Sequence, residues 1–141
     1  MAAGQPGQPF FLQLYVNTER DKTEALLRSA HKLGIKAVFV TVDAPIPGKR
    51  EADERIAAEN IASAVSGAVA SNDKKGGGLG RVMAKYIDST LSWEDLAWIK
   101  RVSKLPLVLK GVQTAADARK AVRYGANGIM LSNHGGRSLD T

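Results

Sequence analysis

Two stretches of the chain, "LLRSAHKLGIKAVFVTVDA" (26–44) and "ARKAVRYGANGIMLSNHGG" (118–136), share one plan. Each has an amphipathic segment, a glycine, a short link, an apolar run and a polar end. This weak repetition restricts the fold more than any other feature. Alternating helices and short buried strands describe βα units, whose strands lie parallel in an α/β fold. Four apolar runs carry the strand signal: "FLQLYV" (11–16), "AVFVTV" (37–42), "LVLK" (107–110) and "GIMLS" (128–132). Their nearly continuous apolar character suits parallel strands covered by helices on at least one face.

Three amphipathic segments supply the helices. The first spans 18–33, with Asn17 or Thr18 as its cap and Gly34 as its stop. The second starts at "SWED", with Ser92 as cap and Asp95 three residues on, and runs to Ser103. The third starts at Thr114 and ends at Gly125, a residue that takes a left-handed cap without strain. A long interruption separates the second strand from the second helix, a loop or insert over 44–90 within one domain. In it, "APIPGKR" (44–50) is a loop and the alanine-rich "EADERIAAENIASAVSGAVA" (51–70) reads as helical. "SNDKKGGGLGR" (71–81) reads as a flexible basic linker, because it lacks the spacing of phosphate-binding glycine motifs and follows no strand.

Composition narrows the chemistry. The 141 residues include no cysteine, which removes disulfides, thiol catalysis and cysteine metal sites. Only His31 and His134 are available as histidines, so a metal centre is poorly supported. His31 sits in a charged helix beside Lys32 and reads as surface. The net charge is +6, but the basic residues are dispersed over helices without aromatic interleaving, so no nucleic-acid partner is expected. No apolar run approaches the roughly 20 residues that cross a bilayer, so no membrane span is expected. The start, "MAAGQPGQPF", lacks a signal-peptide pattern.

Polar residues cluster where the strands end. Residues two apart on a strand face the same way, so Gln13 pairs with Tyr15 and Thr41 with Asp43. Lys110 closes the third strand; Asn133 and His134 follow the fourth. Any one of these groups is as well explained by packing, capping or solvation. Four strands ending this way place a shared site at the rim where parallel βα arrays bind ligands.

The motifs "QLYV", "TVDAPIPGKREAD", "LSWEDLAWIK", "LPLVLKGVQTAADA" and "SNHGGRSLD" occur in this order. Together they resemble the FMN-dependent 2-hydroxy acid dehydrogenase and oxidase family, over nearly the whole chain from Phe10 to Asp140. The family fold is a (βα)₈ barrel, and the resemblance places this chain at about strands three to six. It implies His134 as the base, Asp43 as its partner, and Tyr15 as a hydrogen-bond donor to the substrate. It implies Arg137 and Arg50 as holders of the substrate carboxylate, and Gln13, Thr41 and Lys110 as contacts of FMN. Lys49 stands where the family usually has arginine, and Ser138 where it commonly has glutamine.

The resemblance implies oxidation of an L-2-hydroxy acid, with L-lactate favoured because "YIDSTLSWEDLAWIK" and "QPFFLQLYVN" look most like fungal flavocytochrome-type L-lactate dehydrogenases. Cytochrome c or oxygen is the implied electron acceptor. Full-length relatives are homo-oligomeric, and the flavocytochrome-type ones are mitochondrial, a location favoured here over the peroxisome. The alternatives are a glycolate or 2-hydroxy acid oxidase using oxygen, and a non-catalytic remnant. A whole barrel takes about 250 residues, so the expectation is that these 141 form the central part of one. The isolated chain should then be inactive and bind FMN weakly. Fluorescence titration with FMN checks this, and sub-micromolar binding by a monomer would contradict it.

Overall fold

The computed structural model describes residues 5, 7–46, 60–62, 69–71 and 85–136, with the backbone alone for 60–62 and 69–71. Its main body is a four-stranded parallel sheet. The strands are β1 (Phe11–Leu14), β2 (Ala37–Thr41), β5 (Leu107–Val112) and β6 (Gly128–Leu131), in that spatial order. They are the four apolar runs expected from the sequence. Helix α1 (Arg20–Lys32) links β1 to β2, α2 (Asp95–Ser103) precedes β5, and α3 (Ala115–Arg123) links β5 to β6.

The register is continuous across the sheet. Thr41 lies beside Lys110, and Lys110 beside Met130. Alternation then sorts the side chains. Leu14, Val38, Val40, Leu107 and Leu109 point to the helices and are at most 2% exposed. They pack with Leu27 of α1 and with Leu96, Ile99 and Val102 of α2 in one core. Burying each such side chain contributes about 1.5–3 kcal/mol. The opposite face carries Gln13, Phe39, Thr41, Lys110 and Met130. Phe11 and Phe39 meet there edge to face at 5.7 Å.

Three local expectations are corrected. The stretch 51–70 is not one helix: Asn60–Ala62 (β3) and Val69–Ser71 (β4) pair antiparallel. Alanine favours a helix only weakly, and pairing of segments bearing β-branched Ile61 and Val69 overrides that preference. The first helix starts at Arg20, and neither Asn17 nor Thr18 is its cap. Asn17 is engaged outside the helix: it bridges Ile87, and its Oδ1 accepts from the Glu19 N–H at 2.8 Å. The second helix starts at Asp95, with residues 93–94 in a turn. Ser92 does not cap it by accepting; instead its N–H and O–H donate to Asp95 Oδ2 at 2.8 and 3.0 Å. At the third helix the expectation holds: Thr114 Oγ1 accepts from the Asp117 N–H at 3.0 Å. The linker "SNDKKGGGLGR" beyond Ser71 lies outside the described residues.

Arg20 fastens the loop before α2. It donates to Asp88 at 3.0 and 3.1 Å and to Asp95 at 2.5 Å, and it stacks over Trp98 at 5.1 Å. The hydrogen bond from Arg20 holds the Asp95 carboxyl at about 2, below its ordinary 3.8. Burial works against ionisation of Asp88, but hydrogen bonds from Thr90 and Arg20 outweigh it and lower its pKa. Among the described residues no helix is long and apolar enough to cross a membrane.

A depressed carboxyl pKa stabilises the fold fully above the unfolded value, and that contribution fades as pH falls through the folded one. Asp95→Asn should cost about 1 kcal/mol at neutral pH, a discounted figure because Arg20 is 37% exposed. The gap between wild type and variant in urea unfolding should narrow as pH falls from about 4 to about 2.

Candidate active site

The C-terminal ends of the four strands bring together six of the eight residues singled out from the sequence. Gln13, Tyr15, Thr41, Asp43, Lys110 and His134 share one rim; Arg50 and Arg137 lie outside the described residues. The other histidine, His31, is exposed on α1.

The centre is a hydrogen-bonded chain. His134 Nδ1 lies 2.9 Å from Asp43 Oδ1, and His134 Nε2 lies 2.9 Å from the Tyr15 hydroxyl. An ionised carboxylate can only accept, so Nδ1 carries a proton. In a neutral ring Nε2 is then an acceptor, and Tyr15 O–H donates to it. The Asp43 side chain is 2% exposed, whereas the imidazole is 18% exposed. The carboxylate is thus buried behind a ring that faces the open rim.

Lys110 stands beside this chain. Its ammonium is 3.8 Å from Asp43 Oδ2 and 3.2 Å from Ser132 Oγ. The first distance gives attraction without a hydrogen bond, and Asp43 Oδ2 has no hydrogen-bond partner among the described residues. On the neighbouring strands Gln13 Nε2 donates to Thr41 Oγ1 at 2.8 Å. The rim therefore offers an amide, a hydroxyl and an ammonium on three adjacent strands.

Two backbone devices hold the groups. The sequence pattern ended the third strand at Lys110, but β5 continues to Val112 through a bulge. Gly111 supplies the extra residue, with φ +99°. Regular alternation turns Lys110 to the rim, and the extra residue after it brings Val112, two residues on, into the helix-side core. Gly111 also leaves room for Asp43. A Cβ there would come within 2.5 Å of the Asp43 side chain and 2.8 Å of its backbone nitrogen. The second device is the turn after β6. His134 has φ +59°, and Gly136 N–H donates to Asn133 Oδ1 at 3.1 Å. Sequence reasoning missed Gly111, although a glycine inside an apolar strand is a bulge signal. It also assigned nothing to Ser132.

A cavity of about 290 Å³ opens at the same end of the sheet, lined by Val16, Thr41, Pro45, Asp88, Trp93 and Gly111 among others.

Parallel βα units with a carboxylate–imidazole–phenol chain at the C-terminal rim have the layout of a βα-barrel enzyme site. The comparisons give the family. The model of the FMN-dependent dehydrogenase family matches residues 1–141, and the chain belongs to that family. It is 43% identical over 139 residues to L-lactate dehydrogenase (cytochrome) of Saccharomyces cerevisiae, covering 99% of this chain and 24% of that protein. It is equally 43% identical over 139 residues to human 2-hydroxyacid oxidase 1, covering 92% of this chain and 38% of the relative. Among solved structures, the flavin-binding domain of baker's yeast flavocytochrome b2 superposes with a TM-score of 0.76 at 42% identity. That match covers 99% of this chain and 30% of the other. The four strands are accordingly part of a (βα)₈ barrel.

Gly111→Ala should push Asp43 away from His134 and destabilise the fold on the order of 3 kcal/mol, the sum of overpacking and backbone strain. Thermal unfolding measures the loss, and an unchanged midpoint would contradict the role of the bulge.

Proposed function

We propose that this chain carries the catalytic rim of an FMN-dependent enzyme that oxidises an L-2-hydroxy acid, L-lactate foremost, to the 2-oxo acid. The observation that carries this reading is the Asp43–His134–Tyr15 chain, with 2.9 Å at each link. Oxidation of the alcohol carbon removes two electrons and two protons, and bound FMN supplies the two-electron acceptor. The donor set on the inner face suits that cofactor, because Gln13, Thr41 and Lys110 match the carbonyl-rich pyrimidine edge of a flavin. A cation there favours the negative charge of the reduced ring. That fit supports these three residues as cofactor contacts.

His134 takes a proton from the substrate at Nε2. Asp43 keeps Nδ1 protonated and stabilises the imidazolium as it forms, through charge pairing away from water. Tyr15, already bonded to Nε2, stands where it can shift its hydrogen bond to a substrate oxygen. Arg50 and Arg137 are proposed as partners of the substrate carboxylate, for which a planar two-pronged donor is best suited. Cytochrome c is the proposed electron acceptor, because identity to the cytochrome-type lactate dehydrogenases reaches 43% and 45%. The second reading is a 2-hydroxy acid oxidase that passes electrons to oxygen, favoured by the equal identity to the human oxidase.

The full natural protein, loaded with FMN, should oxidise L-lactate faster than glycolate and reduce cytochrome c. Rapid turnover with oxygen and glycolate would favour the oxidase reading, and no turnover of any 2-hydroxy acid would refute both. His134→Gln should lower kcat by about 10³-fold, the scale of a lost general base.

A further inference from the structure

Ser132 lies between the two groups that the proposed reaction depends on. Its Oγ accepts from Lys110 Nζ at 3.2 Å and from the His134 backbone N–H at 2.9 Å. Its carbonyl accepts from Gln113 Nε2 at 3.2 Å. A hydroxyl oxygen has two acceptor positions, and these two bonds occupy both. One of them fixes a residue in a left-handed conformation, since His134 has φ +59°. Side chains other than glycine seldom adopt that conformation unless neighbours hold it.

The other bond restrains a charge. Asp43 Oδ2 is buried and has no hydrogen-bond partner among the described residues, and the Lys110 ammonium is only 3.8 Å from it. Opposite charges attract more strongly away from water, so an unrestrained ammonium would close that gap. It would then compete with His134 for the carboxylate. The Ser132 hydroxyl opposes the shift by holding the ammonium on the side of β6.

We propose that Ser132 is a positioning residue that couples Lys110 to the His134 loop and reserves the Asp43 carboxylate for the imidazole. This rests on the reading of His134 as base and Lys110 as the cofactor-side cation.

The test uses the full natural protein loaded with FMN, as wild type, Ser132→Ala, Ser132→Cys and Ser132→Thr. In Ser132→Ala, kcat should fall about tenfold or more while KM for L-lactate stays within about twofold, the pattern of a charged group losing one hydrogen bond. The flavin midpoint potential should fall, because the cation is no longer held beside the reduced ring. Hydrogen exchange of the His134 amide should speed up. Ser132→Thr keeps the hydroxyl and should restore all three. Ser132→Cys, similar in size but a weak acceptor, should repeat the alanine losses and serves if the alanine variant does not fold. Wild-type exchange and potential in both Ala and Cys would overturn the proposal, as would a threonine variant as impaired as alanine. Amide exchange needs no turnover. If the wild-type protein failed to oxidise any 2-hydroxy acid, the functional reading would fall while exchange still decided the role of Ser132.

Discussion

The pairing of Thr41 with Lys110 across β2 and β5 sets most of the rest in place. Parallel strands in this register end at one level, so the residues just past them meet. Asp43 follows Thr41 by two positions and therefore points to the same face. Lys110 then stands across from it, and the turn after β6 brings His134 to Asp43 Oδ1. A slip of one residue would turn every side chain of a strand to the other face. It would place Val40 and Leu109 on the rim and Thr41 and Lys110 in the core. The burial of Val40 and Leu109, at 0% and 2% exposed, is what forbids the slip.

The buried carboxylate shows how closely packing and chemistry are joined. A charge out of water needs partners, and Asp43 has one short bond and one more distant cation. Space for it comes from Gly111, whose missing side chain and bulged backbone let the carboxyl pack against β5. Lys110, just before the bulge, reaches the rim by the regular alternation of β5. One glycine thus makes room for the carboxylate that partners the histidine.

The helical layer supports this from behind. Helices α1 and α2 cover β1, β2 and β5 with Leu27, Leu96 and Ile99. Arg20 ties the start of α1 to Asp88 and Asp95, which steadies the loop along the cavity. Family membership agrees with this arrangement: the chain matches relatives along nearly all of its own length while spanning 24% of the yeast dehydrogenase and 38% of the human oxidase.

Much of the fold was legible in the sequence. Near-continuous apolar runs, glycine stops and the Thr114 cap are local signals, so four strands and three helices could be read without a structure. The convergence of strand-end residues was also readable, because alternation and parallel order follow from pattern alone. The antiparallel pairing of β3 with β4 was not, since strand pairing depends on a partner segment that propensity does not see. Nor were the bulge at Gly111 and the bonds to Ser132, each of which joins residues far apart in sequence or hinges on one backbone angle. The sequence by itself determined which polar side chains stand at the strand ends and in what order they appear. Only the tertiary structure decided that Asp43 is buried, that His134 is held left-handed, and that Lys110 stops 3.8 Å short of the carboxylate. Those are consequences of close packing between distant segments, and no local pattern encodes them.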